Sequence, residues 1–273
     1  MALMEFEYNS RALDMNAKCL VILPQREQGI GMEGTNAAGQ GERYPVLWLL
    51  HGASDDYSIW LRRTSVERYV STLGLAVVMP AVHLSRYSNM VHGPRYFDYV
   101  AEELPEVLAG AFPLSVKRED NFVAGLSMGG YGALKMGLSL PERYAAIGCF
   151  SSGNLIHWPA GRSLVGQERA SGKPTVNLSV YGTDDPMERI GDPEFDAFTM
   201  AEEAERKGSL LPRIFHACGT EDFLLDNARL TADWFRAHPA FDYSYYEAPG
   251  AHTWEFWDQW LQTFLAWLKP ELA

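Results

Sequence analysis

The sequence predicts an α/β fold in which a mostly parallel sheet is covered by helices on both faces. Continuous apolar runs of strand length alternate with segments of helical periodicity, at a spacing of roughly 30 residues. Such runs are typical of parallel strands, which are buried on both faces. The run at 121–124 leads directly into Gly-x-Ser-x-Gly, and a helical pattern follows it. Since no internal repeat is evident, we expect residues 1–273 to form a single domain.

The first half of the chain supplies an antiparallel strand pair, two buried strands and a long helix. The pair surrounds a turn near 14–16. The helix spans 96–112, where apolar residues recur at helical spacing opposite glutamates, and Pro105 within it is expected to kink it. The four predicted strands lie at 6–8, 19–23, 45–50 and 75–80.

Between the second and third strands, the segment 25–43 is rich in glycine, glutamine and glutamate. This composition cannot supply a core and predicts an exposed loop. Gly29, Gly31 and Gly34 resemble part of a phosphate-binding loop, but no Lys-Ser or Lys-Thr pair follows them and no helix begins there. A plain surface loop is therefore the better interpretation.

In the second half of the chain the alternation lapses once, between 151 and 211. This mixed segment contains one helical pattern, at 195–207. Because it leaves the carboxyl edge of a parallel strand, we expect a small cap over the site. The final helix carries an apolar stripe, which predicts packing on the sheet. The other elements expected here are a helix to 140, a strand at 144–150, a strand at 214–218, a helix at 224–237, a strand at 241–247 and a helix at 254–268.

The serine of Gly-x-Ser-x-Gly, Ser127, falls on the predicted strand-to-helix turn, which is the context of a nucleophile elbow. Gly125 and Gly129 leave no Cβ to clash with the strand or the helix, so the hydroxyl can stand above the sheet. The helix that begins here directs its unpaired N–H groups toward the serine. The pentapeptide alone is a weak signal, since a tight turn whose serine caps a helix gives the same pattern.

A tetrahedral intermediate formed on Ser127 needs hydrogen-bond donors for its oxyanion. The strand at 45–50 ends in His51-Gly52-Ala53-Ser54, where the glycine lets the chain turn back over the sheet. The predicted donors are the backbone N–H of Ala53 and that of Met128, the residue after the serine. We expect His51 to support this loop and to take no part in catalysis.

Activation of Ser127 requires a base and a carboxylate, which in this type of fold follow the serine in the order acid, then histidine, each just past a strand. Of the seven histidines, His252 is the one that follows a late strand. The acid lies in Gly-Thr-Glu-Asp-Phe at 219–223, where Asp222 is preferred to Glu221. An N-cap of the next helix is the alternative role for Asp222.

The composition excludes several classes of protein. A formal net charge of -12 argues against nucleic acid or an anionic membrane as a partner. Residues 1–7 lack the features of a signal peptide, and no apolar run is long enough for a membrane span, so we expect a cytoplasmic protein. No motif for a metal or other cofactor is evident. The three cysteines, expected to be reduced core residues, are Cys19, Cys149 and Cys218.

Taken together, these motifs resemble the esterase D / tributyrin esterase family of α/β-hydrolases, which includes S-formylglutathione hydrolases and, more remotely, mycolyl transferases. The segments that carry the resemblance span nearly the whole chain. The sequence departs from the family in its glycine-rich insertion at 29–41. The matching segments are His-Gly-Ala-Ser at 51–54, Tyr-Phe-Asp-Tyr-Val-x-Glu-Glu-Leu-Pro at 96–105, Gly-Leu-Ser-Met-Gly-Gly-Tyr-Gly-Ala-Leu at 125–134, Cys-Gly-Thr-Glu-Asp-Phe at 218–223 and Gly-x-His-x-Trp-x-x-Trp at 250–257.

The resemblance implies the α/β-hydrolase fold and a serine carboxylesterase active on short acyl chains, with Ser127, Asp222 and His252 as the triad. It also implies that Tyr87 and Trp254 line the acyl pocket. The expected partner is a small-molecule ester, and the oligomeric state stays open, a homo-oligomer included.

Three alternatives stay open. One is hydrolysis of the thioester S-formylglutathione. This substrate is negatively charged, and the sequence shows no obvious cluster of arginines that would bind it. Another is an acetyl or feruloyl esterase acting on carbohydrate esters. The third is an inactive hydrolase used as a binding scaffold, which the complete triad disfavours.

Overall fold

An eight-stranded mixed sheet forms the centre of the protein. The computed structural model describes residues 1–25, 43–158 and 174–268, so the glycine-rich segment with Gly29, Gly31 and Gly34 lies outside the described residues. In chain order the strands are β1 (Ala2–Ser10), β2 (Met15–Leu23), β3 (Val46–Leu50), β4 (Ala76–Pro80), β5 (Asn121–Leu126), β6 (Ala146–Phe150), β7 (Arg213–Gly219) and β8 (Tyr243–Ala248).

The strands lie side by side in the order β1-β2-β4-β3-β5-β6-β7-β8. β2 runs antiparallel to both of its neighbours, and every other pair is parallel. The central strands β3, β4, β5 and β6 are buried along their whole length. This arrangement confirms the prediction of a mostly parallel sheet, and the carboxyl ends of β3, β5, β7 and β8 therefore meet at one edge.

Helices cover both faces of the sheet, as the sequence predicts. One apolar cluster packs the helices Leu104–Ala111, Met128–Ser139, Ala197–Arg206 and Leu225–Arg236 on one face, and a second packs Ile59–Arg63, Val66–Val70 and Trp254–Leu268 on the other. None of the described helices is both long enough and apolar enough to cross a bilayer. The helices are α1 (Ile59–Arg63), α2 (Val66–Val70), α3 (Tyr96–Asp98), α4 (Leu104–Ala111), α5 (Met128–Ser139), α6 (Val176–Tyr181), α7 (Ala197–Arg206), α8 (Leu225–Arg236) and α9 (Trp254–Leu268).

The helix that contains Pro105 has an irregular turn just before the proline. The segment 96–111 is helical, and a π-helical turn at Tyr99–Glu103 joins α3 to α4. Pro105 lies in the first turn of α4 and has no N–H to donate, and the carbonyl of Ala101, four residues earlier, accepts a hydrogen bond from Arg143 at 2.6 Å. The interruption thus precedes the proline and is absorbed by the wider turn.

The π-helical turn also holds the first hairpin. Glu103, which is buried, accepts hydrogen bonds from Ser10 Oγ at 2.6 Å and from the backbone N–H groups of Arg11 and Ala12 at 2.9 and 3.1 Å. These bonds satisfy donors of the turn between β1 and β2 that would otherwise be unpaired, and they tie this turn to the π-helical turn.

The described part of the segment 151–211 contains α6, α7 and short 3-10 turns. α7, which the sequence predicts closely, is capped by Asp196 and packs along α5. Tyr131 of α5 donates a hydrogen bond to the carbonyl of Phe195, just before α7. These contacts place α7 beside the helix that follows Ser127, while the role of the whole segment as a cap stays a prediction.

His216 on β7 is a buried histidine that should make the stability of the protein depend on pH. It is fully buried between two partners: Nε2 lies 2.8 Å from the Ser152 carbonyl, which can only accept, so Nδ1 accepts from the Tyr243 hydroxyl at 2.7 Å. Burial, the largest effect, lowers the pKa of His216 from 6.5 to about 4.

The unfolded chain therefore binds a proton that the folded chain does not, between pH 6.5 and 4. The stability contributed by neutral His216 is complete above pH 6.5 and is lost as the pH falls, by up to about 1.4 kcal/mol per pH unit. We expect to see this in urea unfolding at pH 4.5, 5.5, 6.5 and 7.5: as the pH is lowered, the free energy of unfolding should decrease less for His216→Asn than for the wild type. Parallel pH profiles would contradict this prediction.

Candidate active site

The site is built on the turn between β5 and α5. Ser127 occupies this turn with φ of 53° and ψ of -121°, a conformation that non-glycine residues rarely adopt. Its backbone N–H donates to the Phe150 carbonyl at 2.8 Å, and its carbonyl accepts from Gly130 and Tyr131 at the start of α5. These bonds hold the strained residue in place, so that the half-buried side chain stands at the carboxyl edge of the sheet.

The two glycines of the elbow allow strand and helix to approach closely. A Cβ on Gly129 would lie 2.5 Å from the Leu50 carbonyl oxygen and 2.6 Å from that of His51. A Cβ on Gly125 would meet the backbone of Gly129. The obstacles are backbone atoms that cannot rotate away, and this is the physical reason for glycine at both positions.

Three side chains from distant parts of the chain form a continuous hydrogen-bonded row. His252 Nε2 lies 3.0 Å from Ser127 Oγ, and His252 Nδ1 lies 2.9 Å from both carboxylate oxygens of Asp222. Asp222 follows β7 and His252 follows β8, so parallel pairing brings both to the edge where β5 ends. The structure thus brings together the serine, histidine and aspartate that the sequence singles out.

Asp222 is held as a carboxylate. Its side chain is fully shielded from solvent, and Oδ1 also accepts from the Leu224 N–H at 2.8 Å. Burial pushes the pKa of Asp222 upward, but the hydrogen bonds from His252 and Leu224 outweigh burial, and the pKa lies below its usual value. Glu221 is exposed instead and accepts from the Gly250 N–H and the Thr220 hydroxyl.

The loop after β3 lies next to Ser127. His51 is buried there, with Nε2 accepting from the Val82 N–H at 3.1 Å and Nδ1 donating to the Gly52 carbonyl at 2.7 Å. Burial lowers the pKa of His51 to about 4, so the ring is neutral near pH 7. His51 supports the loop, as expected. Among the described residues, none accepts a hydrogen bond from the N–H of Ala53 or Met128.

Tyr87 does not lie where the family resemblance implies. It is fully buried, its hydroxyl donates to the His51 carbonyl at 2.9 Å, and its ring fills the space over Gly132. A side chain enclosed in this way supports the loop from beneath and presents no surface to an acyl group. Trp254 is half-buried at the start of α9, with its ring edge-on to Trp60 and Trp257 at 5.2 and 5.1 Å.

The structure adds three residues that sequence reasoning missed. Phe223 is 62% exposed, and its ring centroid lies 4.3 Å from that of His252. Trp158 lies 5.9 Å from Phe223, centroid to centroid. Asp55 is half-buried, and a Cβ built on Gly52 would be 3.6 Å from both Asp55 Oδ2 and Ser127 Cβ. Of the three, only Phe223 lies next to a predicted site residue in the sequence, and that position does not indicate that its ring is exposed.

The described residues include no group of three or more histidine, cysteine or carboxylate side chains that could hold a metal ion. The three cysteines are buried and unbridged. The row of Ser127, His252 and Asp222 offers a hydroxyl, an imidazole and a carboxylate in hydrogen-bond contact.

Comparison with known proteins fits this arrangement. The model of the Esterase family matches residues 10–268. The chain belongs to the Esterase family. An acetyl esterase from Caldicellulosiruptor saccharolyticus is 30% identical to this esterase over 272 residues, which cover 98% of each chain.

Two solved structures from Staphylococcus aureus are also similar to the esterase, and each comparison covers 98% of both chains. The fluorophosphonate-binding serine hydrolase F is 30% identical with a TM-score of 0.77. The S-formylglutathione hydrolase FrmB is 29% identical, also with a TM-score of 0.77. The chain is thus a serine esterase with an α/β-hydrolase fold, and the predicted resemblance to a family that includes S-formylglutathione hydrolases is confirmed.

The close approach at the elbow predicts that Gly129→Ala is destabilising. The added methyl group would press on backbone carbonyls of β3 and the following loop, and we expect a loss of about 1–3 kcal/mol in the free energy of unfolding. Gly110→Ala is the matched control, because Gly110 is exposed in α4 with open space around its Cα.

Urea unfolding measures both variants. The control should gain about 0.5–1 kcal/mol, since alanine is the better helix former. A Gly129→Ala variant as stable as the wild type would contradict the packing argument.

Proposed function

We propose that this esterase hydrolyses short-chain acyl esters through an acyl-enzyme intermediate on Ser127, with His252 as the general base and Asp222 as its orienting carboxylate. The observation that supports this most is the unbroken hydrogen-bonded row from Ser127 Oγ to the Asp222 carboxylate. Its distances are those needed for proton transfer within the row.

The Asp222 carboxylate, which can only accept hydrogen bonds, fixes the tautomer of His252. The proton of the neutral imidazole must then lie on Nδ1, which leaves the lone pair of Nε2 facing Ser127 Oγ. When Nε2 takes the serine proton, the imidazolium forms beside a buried negative charge and is stabilised by it.

In the acylation step, Ser127 Oγ bonds to the ester carbonyl carbon while its proton passes to His252 Nε2. The carbonyl oxygen becomes an oxyanion, for which the N–H groups of Ala53 and Met128 are the proposed donors. His252 then gives its proton to the departing alkoxide. Water then attacks the acyl-enzyme in the same way, with His252 again as the base. This second step releases the acid and restores Ser127.

The preference for short acyl chains rests on the relatives and on the family resemblance. The similar Caldicellulosiruptor protein is named an acetyl esterase, and its alignment spans nearly the whole of both chains. We assign the chain to the esterase D / tributyrin esterase subgroup on the motifs described above. Trp254, the half-exposed ring at the start of α9, is the proposed wall of the acyl pocket.

Hydrolysis of S-formylglutathione is the second candidate function, favoured by the similarity to the staphylococcal FrmB. Against it stands Asp55, half-buried near Ser127: burial raises the pKa of this carboxyl group, but its ionised form repels an anionic substrate. The net charge of -12 acts in the same direction. We therefore rank neutral esters first, and we propose a cytoplasmic protein with no nucleic-acid or membrane partner.

Replacement of the nucleophile gives the first test of this proposal. Ser127→Ala should lower kcat for p-nitrophenyl acetate by about 10⁴-fold or more, because the row then lacks the attacking oxygen. The melting temperature should hardly change, since a half-buried hydroxyl is all that is removed.

Labelling by a fluorophosphonate probe provides the control for Ser127→Ala. The wild type should be labelled and the variant should not. A Ser127→Ala variant that keeps its activity would refute the assignment of the nucleophile, and a wild type without labelling or turnover would favour the scaffold alternative.

Asp55 supplies a test of the charge preference. Asp55→Asn should raise kcat/KM for the anion 4-acetoxybenzoate by roughly three- to tenfold relative to its neutral methyl ester, because a nearby negative charge is removed. The gain should shrink in high salt. Asp56→Asn is the matched control, since Asp56 is exposed and engaged by Ser58 at 2.6 Å.

The same variants are then compared on S-formylglutathione beside p-nitrophenyl acetate. Efficient wild-type hydrolysis of the thioester, unchanged by Asp55→Asn, would make the second candidate the better one.

A further inference from the structure

We propose that Phe223, together with Trp158, forms the binding site for the alcohol part of the ester, and that this site prefers flat, apolar, uncharged alcohols. The inference rests on the proposed role of His252 and names the side of the site that selects the leaving group.

The position of His252 determines the direction in which the alcohol leaves. In the proposed mechanism the alkoxide oxygen takes its proton from His252 Nε2, so it must come within hydrogen-bond distance of that atom. The rest of the alcohol then extends over the surroundings of the imidazole. Whatever covers the His252 ring therefore contacts the alcohol and not the acyl group held on Ser127.

The two aromatic side chains beside the His252 ring differ in their exposure to solvent. Trp257 lies edge-on to the His252 ring with centroids 4.9 Å apart, and it is only 5% exposed because it packs into the core beneath α9. Phe223 lies against the same ring at 4.3 Å and is 62% exposed. Of these two sides of the His252 ring, only the side of Phe223 is therefore open to a substrate.

Trp158 extends the aromatic surface that begins at Phe223. The Trp158 ring is tilted by 38° from that of Phe223, with centroids 5.9 Å apart. Trp158 in turn packs against a buried cluster of Tyr131, Leu155 and Leu224. The two rings form a supported aromatic surface next to the base, on which a planar apolar group can stack.

Charge sets the remaining preference. Phe223 directly follows Glu221 and Asp222, and the pKa of each of these carboxyl groups lies below its usual value. Both are therefore negatively charged at neutral pH, which disfavours an anionic alcohol at this position. The exposed ring itself offers only apolar contact.

The experiment compares benzyl acetate with ethyl acetate. Their alcohols are similar in basicity, and both substrates give the same acetyl-enzyme, so a difference reports the acylation step and the alcohol. Phe223→Ala should lower kcat/KM for benzyl acetate by about tenfold and for ethyl acetate by less than twofold. Trp158→Ala should change the benzyl-to-ethyl ratio in the same direction by a smaller factor.

Further variants separate binding of the alcohol from positioning of His252. Phe223→Tyr keeps the flat ring and should retain the benzyl preference, whereas Phe223→Leu, apolar but not flat, should lose most of it. Val116→Ala, which truncates an apolar side chain that is 73% exposed and lies before β5, at the opposite edge of the sheet, should leave both rates unchanged.

Equal losses on the two acetates in Phe223→Ala would overturn the proposal and would make Phe223 a positioning residue for His252. An unchanged benzyl-to-ethyl ratio would overturn it as well. Failure of the underlying function looks different: the wild type would then hydrolyse neither acetate and would not react with the fluorophosphonate probe.

Discussion

The close contact between the start of α5 and the end of β3 is the constraint on which the site depends. Gly129 approaches the Leu50 and His51 carbonyls so closely that no side chain fits between them. This contact forces Ser127 into its strained conformation, and it also fixes the loop that carries Ala53 against the serine. The strain at one residue is maintained because the packed sheet and helix around it leave no alternative.

Buried polar groups support that loop from below. His51 uses both ring nitrogens on backbone partners, and Tyr87 donates to the His51 carbonyl from the core. In a low-dielectric interior, satisfied hydrogen bonds of this kind are costly to break, so the loop is rigid before a substrate arrives. A site with preorganised donors needs little rearrangement as charge develops on the substrate.

The sequence predicted the sheet, most of the helices and the serine-aspartate-histidine row, because each depends on local patterns and on chain order. Apolar runs report buried strands, and parallel pairing then brings the residues after β5, β7 and β8 to one edge. The environment of Tyr87 depends on packing between distant segments, which a single sequence does not encode locally. Phe223 was missed for the same reason, since an apolar residue after Asp222 gives no sign that it stays in contact with solvent. At Pro105 the sequence indicated an irregularity but not its form, because a π-helical turn relieves the clash of a proline ring with the preceding turn and leaves no local sequence pattern.

The order of the strands has a consequence for the synthesis of the protein. His252 follows β8, which is the last of the described strands. During translation the serine is made long before its base, and β8 must pair with β7 to bring that base within reach. In the proposed mechanism, a partly synthesised chain on the ribosome therefore carries an inert hydroxyl, and reactivity toward esters is acquired only when β8 has paired with β7.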